Sequence, residues 1–191
     1  MRPVGLITGA PPAGNSSLLS ALRESMPNLE TVDYGQWLLN TIRQSRPLEY
    51  SELRELSSQV VTPALVAETD VAVIEWVRET RNRSPILSDS HAVTKEDYGF
   101  RVVPFTHDQL RELALDFIVC LFCTPNETVR RINEDPEGRP GITEQQAFHH
   151  AGMQAALANS YGAVTGKPVY HLDSTDSRSE PLTRVKDLLT G

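Results

Sequence analysis

The sequence predicts an α/β fold of three layers: a five-stranded parallel sheet with helices on both faces. Three observations carry this. Short apolar runs alternate with amphipathic helical stretches along the whole chain. The first apolar run ends directly in a glycine-rich loop that opens a helix. No internal repeat or low-complexity segment interrupts the pattern.

The elements follow in order. Pro3 to Thr8 reads as the first strand and Ser16 to Ser25 as a helix with Leu18, Leu19 and Leu22 on its apolar side. Leu29 to Val32 is a second strand ending at Asp33-Tyr34-Gly35, and Gln36 to Arg46 a helix closed by Pro47. Tyr50 to Arg81 is helical in pattern, but Pro63 must kink or split it, because proline lacks an amide donor and clashes with the preceding turn. Pro85 to Asp89 is a third strand, Thr106 to Leu115 a helix and Asp116 to Cys123 a fourth strand. Pro125 to Asn133 is a helix, and the two prolines and two glycines of Glu134 to Gly141 make a loop. Thr143 and Gln146 form a capping-box pattern before a long helix that runs to Thr165. Pro168 to Leu172 is the fifth strand and Glu180 to Leu189 the last helix. Right-handed crossovers join strands arranged in this way.

Composition narrows the function. A chain of 191 residues suits one domain spanning 1–191. Its net charge of −7 disfavours broad nucleic-acid binding, since a phosphate backbone is repelled. No apolar run is long enough to span a membrane, and the N-terminal run is too short for a signal peptide, so a cytoplasmic location is expected. The two cysteines, Cys120 and Cys123, have C-x-x-C spacing, yet they sit in a strand-like apolar run. Side chains three apart on a strand point to opposite faces, so the pair reads as core rather than as a redox or zinc site. Neighbouring His149 and His150 diverge by roughly 100° on a helix and read as structural, as do Trp37 and Trp76 on apolar helix faces.

Chemistry concentrates in the loop Gly9-Ala10-Pro11-Pro12-Ala13-Gly14-Asn15-Ser16-Ser17. It lies between a strand and a helix, the context of a G-x-x-x-x-G-K-[ST] phosphate loop. Curled backbone amides and a helix N-terminus favour phosphate there, which points to ATP, and Ser16 stands where the motif offers a hydroxyl to Mg2+. Asn15 replaces the usual lysine, and Pro12 removes one amide. The competing reading is a glycine turn without a ligand. Asp89 ends a strand at the edge where open α/β sheets bind ligands, as a magnesium ligand or as a local turn acceptor. His91, two residues on, is a substrate contact or a loop histidine without a catalytic role.

Taken together, the loop, Asp33-Tyr34-Gly35, Asp89-Ser90-His91, Arg130-Arg131 and Tyr161-Gly162-Ala163-Val164-Thr165-Gly166 occur in an order that resembles the archaeal type of adenylate kinase, a P-loop nucleoside monophosphate kinase family. The resemblance implies a P-loop NTPase sandwich, an acceptor-binding segment over 34–70 and a small lid over 133–143. It implies that Arg54 meets the acceptor phosphate and that Tyr34 and Gly35 lie beside the acceptor. It also implies that Arg131 bridges the two substrates and Arg139 clamps from the lid, with Asp89 as the third catalytic group. The bland alternatives are a solvated helix arginine for Arg54 and a surface pair for Arg130-Arg131. Some family members lack the loop lysine, so Asn15 fits; Pro12 stands where they usually carry glycine, and Glu134 to Arg139 keeps one arginine where they carry several. The expected partner is a nucleotide or other small-molecule phosphoryl acceptor. Three functions follow: an ATP-dependent kinase of nucleoside monophosphates, AMP first; a small-molecule kinase on the same scaffold; and a nucleotide-binding regulator without turnover.

Overall fold

The computed structural model describes residues 1–43, 61–135, 141–177 and 179–191. Five parallel strands form one sheet in the order β2-β3-β1-β6-β7: β1 (Val4–Gly9), β2 (Glu30–Asp33), β3 (Ile86–Asp89), β6 (Phe117–Phe122) and β7 (Val169–Asp173). The helices are α1 (Asn15–Ser25), α2 (Tyr34–Arg43), α3 (Pro63–Thr80), α4 (His107–Leu113), α5 (Pro125–Asn133), α6 (Glu144–Thr165) and α7 (Ser179–Thr190).

Strand alternation sorts the core into two layers. Val4, Leu6, Ile86, Ile118 and Cys120 face α3, α4 and α6, meeting Val73, Val77, Leu110, Leu113 and Ala158. Ile7, Leu87, Val119 and Leu121 face the other way, against Leu18, Leu19 and Leu22 of α1 and Val185 and Leu189 of α7. This is the three-layer α/β sandwich that the alternating pattern predicts.

Local signals set several boundaries as expected. Pro63 begins α3 at the first helical position, and the Thr62 hydroxyl accepts from Leu65 N. Of the helix predicted over Tyr50 to Arg81, the part that follows Thr62 begins at Pro63, and the portion from 50 to 60 lies outside the described residues. Thr143 and Gln146 close both halves of their capping box. Cys120 and Cys123 are buried and unpaired; Cys123 Sγ contacts Thr128 Oγ1 at 3.2 Å. Trp37 and Trp76 pack edge to face at 6.0 Å.

One element was not expected. Residues after β3 form an antiparallel hairpin, β4 (Val93–Glu96) with β5 (Gly99–Val102), turned by Asp97-Tyr98. Gly99 leaves the turn at φ 138°, a conformation that L side chains rarely adopt. The hairpin packs on α6, where His150 Nε2 donates to Val93 O at 2.9 Å. That contact gives His150 the structural role expected of it.

The sheet centre is tight at Gly5, which is paired with Phe117 across β1 and β6. A Cβ there would fall 2.3 Å from the Phe117 ring and 3.0 Å from Leu87 Cδ1. Gly5→Ala should therefore destabilise the fold by roughly 1–3 kcal/mol, the usual effect of overpacking. Urea unfolding checks this, and an unchanged midpoint would show that the ring moves aside freely.

Candidate active site

A cleft of about 910 Å³ opens at the C-terminal ends of the strands, where an open α/β sheet places ligands. Its first wall is the glycine loop. Gly9 ends β1 so close to β6 that a Cβ would meet Leu121 O at 2.7 Å. Ala13 N closes a turn on Ala10 O at 2.8 Å, and Gly14, at φ 103°, delivers the chain into α1. Pro11 to Ser17 line the cleft. The first-turn amides of α1 have no partner within the helix, and the helix dipole adds partial positive charge beside them.

The floor is polar and buried. Asn15 does not extend into the cleft as a lysine would. It is 3% exposed, and its Nδ2 donates to Asp89 Oδ1 at 2.8 Å. His91 Nδ1 donates to Gly9 O at 2.8 Å, which leaves Nε2 3.6 Å from Asp89 Oδ1. Burial lifts the Asp89 carboxyl above its ordinary range; His91 and the Asn15 hydrogen bond pull it down, and Asp33 pushes it up. Asp33 and Asp89 are register partners on β2 and β3, so two carboxylates meet at this edge.

The second wall comes from α5 and the segment after β7. Every guanidinium nitrogen of Arg131 donates. Nε binds Glu127 Oε1 at 2.7 Å, Nη1 reaches Pro12 O at 3.3 Å and Ser174 Oγ at 3.4 Å, and Nη2 binds Ser174 O at 2.6 Å and Thr175 O at 3.2 Å. Arg131 thus ties the glycine loop to the segment after β7. Ser174 Oγ completes the tie by donating to Ala13 O at 2.6 Å. Arg130 is more exposed and pairs with Glu127 and Glu134. These pairs hold the Glu127 carboxyl low, at about 2, with the hydrogen bonds from Arg130 and then Arg131 as the main causes.

Opposite the glycine loop, Tyr34, Gly35, Leu38, Val66 and Phe105 line the cleft. Asp70 of α3 lies among them, 2% exposed, and its Oδ2 accepts from Gln109 Nε2 at 2.6 Å. Burial lifts the Asp70 carboxyl to about 6 against the pull of Tyr34 and Gln109. Burial, then Asp70, pushes the Tyr34 hydroxyl well above its ordinary value. Lys95 and Arg101 bring positive charge from the hairpin to the same end.

The structure therefore brings together the loop, Tyr34, Gly35, Asp89, His91 and Arg131. Arg54 and Arg139 lie outside the described residues, as do 44–60 of the acceptor segment and 136–140 of the lid. Asp70, Lys95, Arg101 and Ser174 also belong to the cleft or its supports, and sequence reasoning did not single them out; Asp33, named there only within the Asp33-Tyr34-Gly35 landmark, belongs to it as well. For Asp33 a signal existed, because it ends a strand as Asp89 does. Asp70 gave none, since an acidic residue in a helical pattern reads as solvated. Among the described residues, no group of three or more His, Cys, Asp or Glu side chains is placed to hold a metal ion, and no helix is long and apolar enough to cross a membrane.

Comparison with known proteins places these features. The AAA domain profile matches residues 8–147. Adenylate kinase of Thermococcus kodakarensis is 26% identical over 193 residues, covering 97% of this chain and 95% of that one. Adenylate kinase of Pyrococcus abyssi is 25% identical over 161 residues, covering 83% and 79%. Among solved structures, shikimate kinase from Bacteroides thetaiotaomicron superposes over 100% of both chains, with a TM-score of 0.63 and 14% identity, a likeness of fold.

The Asp70 carboxyl sets a pH dependence. A folded value of about 6 exceeds the unfolded carboxylate value near 4, so the native state keeps the proton while the unfolded chain releases it. Stability from this group is present below about pH 4 and is lost as pH rises to 6. Asp70→Asn should then be more stable than the wild type at pH 7.5, by roughly 1–3 kcal/mol, with the gap closing at pH 4. Denaturant midpoints at the two pH values measure it. An equal gap at both would remove the carboxyl as the cause.

Proposed function

The chain belongs to the AAA-domain family, and we propose that it is an ATP-dependent kinase that phosphorylates a nucleoside monophosphate, AMP being the leading acceptor. The observation that carries this reading is one cleft with two unlike ends. Backbone amides of a glycine loop and a helix N-terminus line one end; a partly apolar slot with buried polar groups, Tyr34 and Asp70, lines the other. Asp89 stands between them. The adenylate kinases among its relatives support AMP as the acceptor.

Residues fit the expected ligands. The loop from Gly9 to Ser17 suits a polyphosphate, which binds to backbone amides without a side-chain cation. Mg2+ commonly takes one or two carboxylates and completes its shell with water and substrate phosphates. Ser16 and Asp89, both on the cleft, are the groups that would hold it. When bound, the ion draws charge from the phosphate oxygens. Phosphoryl transfer then asks the protein mainly for positioning and positive charge. Arg131 positions the loop through Pro12 O. Arg54 on the acceptor side and Arg139 in the lid are the further cations proposed for the two phosphates.

A second reading has one observation in its favour. Asp33 and Asp70 place carboxylates on the acceptor wall, and carboxylates suit the hydroxyls of a small non-nucleotide acceptor. Coupled turnover with ATP and a panel of nucleoside monophosphates decides. Turnover with a monophosphate supports the kinase of nucleotides. Turnover only with a polyhydroxylated acid or alcohol supports the second reading. Tight ATP binding without any turnover would make the protein a regulator.

Asn15 and Arg131 give a sharper test. Asn15 already donates to Asp89, so Asn15→Lys should set its ammonium against that carboxylate and change turnover less than about 3-fold, the scale of a modest electrostatic adjustment. Arg131→Ala should lower kcat roughly 100-fold, because the glycine loop loses its tie to the segment after β7 and a small misplacement of the bound phosphate costs that much. Steady-state rates of both variants with the best acceptor report the result. A large gain from lysine together with an indifferent Arg131 would mean that the charge for transfer comes from elsewhere.

A further inference from the structure

Four described lysines and arginines line the cleft, and three are already engaged by carboxylates. Arg101 Nε lies 3.2 Å from Glu96 Oε1, Arg130 pairs with Glu127 and Glu134, and Arg131 pairs with Glu127. Lys95 is the fourth. Its Nζ donates to Glu96 O at 2.9 Å, and among the described residues it has no ion pair. An ammonium carries three donors, so two remain for an anion in the cleft. The glycine loop brings no such group. Asn15 stands where the motif carries lysine, and it is 3% exposed and bound to Asp89. The chain has three lysines, Lys95, Lys167 and Lys186, and only Lys95 lines the cleft.

The fold registers the hairpin on the root of the loop. Gln154 of α6 bridges Val93 N, two residues before Lys95, and Thr8 Oγ1, one residue before Gly9. His150 marks the same junction. Its Nε2 donates to Val93 O, and its ring lies 5.0 Å from that of Phe100, the register partner of Lys95. Burial holds the His150 imidazole toward its neutral form against the pull of the Val93 bond, and the charges of His91 and Lys95 add to the effect of burial. Lys95 and His91 thus both approach His150, and His91 is bonded to Gly9 O.

We propose that Lys95 is a catalytic residue, and that its ammonium meets the terminal phosphoryl group of ATP and supplies from the hairpin the charge that the loop lacks at Asn15. In the transfer an oxygen of the acceptor phosphate bonds to the γ-phosphorus. The bond from that phosphorus to the β,γ-bridging oxygen breaks, and its electron pair leaves on the β-phosphate of ADP. Negative charge spreads over the equatorial oxygens of the moving group. An ammonium donating to one of them stabilises this arrangement without giving up a proton. The flexible stem of lysine lets the charge follow the group from the loop toward the acceptor end. The assignment rests on the nucleotide-kinase reading and adds a reacting group to it.

Lys95→Met removes the charge and keeps the stem; Lys95→Arg keeps a charge. ATP, ADP and AMP are titrated calorimetrically, with Mg2+, against the full chain and both variants, and kcat and both KM values are measured with ATP and AMP. Lys95→Met should weaken ATP roughly 10-fold, as losing one bond to a charged group does, and ADP less than about 2-fold. Its kcat should fall roughly 100-fold, the scale of one lost donor aimed at developing charge, with the KM of AMP unchanged. Lys95→Arg should keep kcat within about 10-fold of the wild type, because the charge persists in a different geometry. Melting curves confirm that each variant folds, and Lys95→Arg separates the charge from the packing of the stem. Equal weakening of ATP and ADP, a raised KM for AMP with ATP unaffected, or an unchanged kcat would overturn the assignment. The two levels stay apart. Wild-type AMP turnover in Lys95→Met removes Lys95 but leaves the kinase. Selective loss of ATP affinity with no turnover of any monophosphate keeps the lysine on the terminal phosphate and removes the kinase. Failure of the unaltered chain to bind ATP removes both.

Discussion

The cleft depends on one buried amide. Gln154 of α6 is 1% exposed, and its side chain reaches two parts of the chain that never meet in sequence. Its Nε2 donates to Thr8 Oγ1 at the end of β1, and its Oε1 accepts from Val93 N at the start of the hairpin, at 3.2 Å. Thr8 Oγ1 in turn donates to Ser90 O at 2.7 Å. The root of the glycine loop, the segment after β3 and the hairpin are thus held at one point by a helix from the far side of the sheet. A buried network with its members satisfied specifies position more sharply than apolar contact does, because partial satisfaction is costly. His91 to Gly9 O and His150 to Val93 O reinforce the same junction.

Arg131 is the counterpart on the other wall. It is 13% exposed in its side chain and bonds three backbone carbonyls besides Glu127. A guanidinium can do this because its donors fork in a plane, and an ammonium would serve fewer of these acceptors. Loop position is therefore set twice, by an amide from below and by a guanidinium from the side. Asn15 joins the loop to Asp89 without adding charge. The resting cleft is held together by neutral and charge-assisted hydrogen bonds, with its loop amides left to face a ligand.

Much of this was legible in the chain. Strand and helix periods identified all five strands of the parallel sheet, and Pro63, Thr143 and Gln146 marked boundaries through local rules that tertiary contacts did not override. The glycine loop was legible because its context, strand before and helix after, is itself local. The hairpin was not. Each of its strands has four residues, and Lys95, Glu96, Asp97 and Arg101 dilute the alternation on which a strand pattern depends. Asp70 and Gln154 escaped for a deeper reason. A polar residue in a helix carries no local mark of burial; what packs above it decides, and that comes from residues far along the chain. The roles of Arg54 and Arg139 came from resemblance alone, and both fall outside the described residues.

The central place of β1 has a kinetic consequence. It is the first of the five strands in sequence, yet it hydrogen-bonds on both edges, to β3 on one side and β6 on the other. The contacts that seat it span 82 residues at Thr8–Ser90 and 112 at Val4–Asp116. Closing loops of that length before any pairing rewards it slows folding. During synthesis this strand must wait for β3 and then for β6, which ends at Phe122, before both of its neighbours exist. Until then its unpaired edges and its run of Val4, Leu6 and Ile7 are open to wrong partners, a period in which a holding chaperone has its clearest substrate.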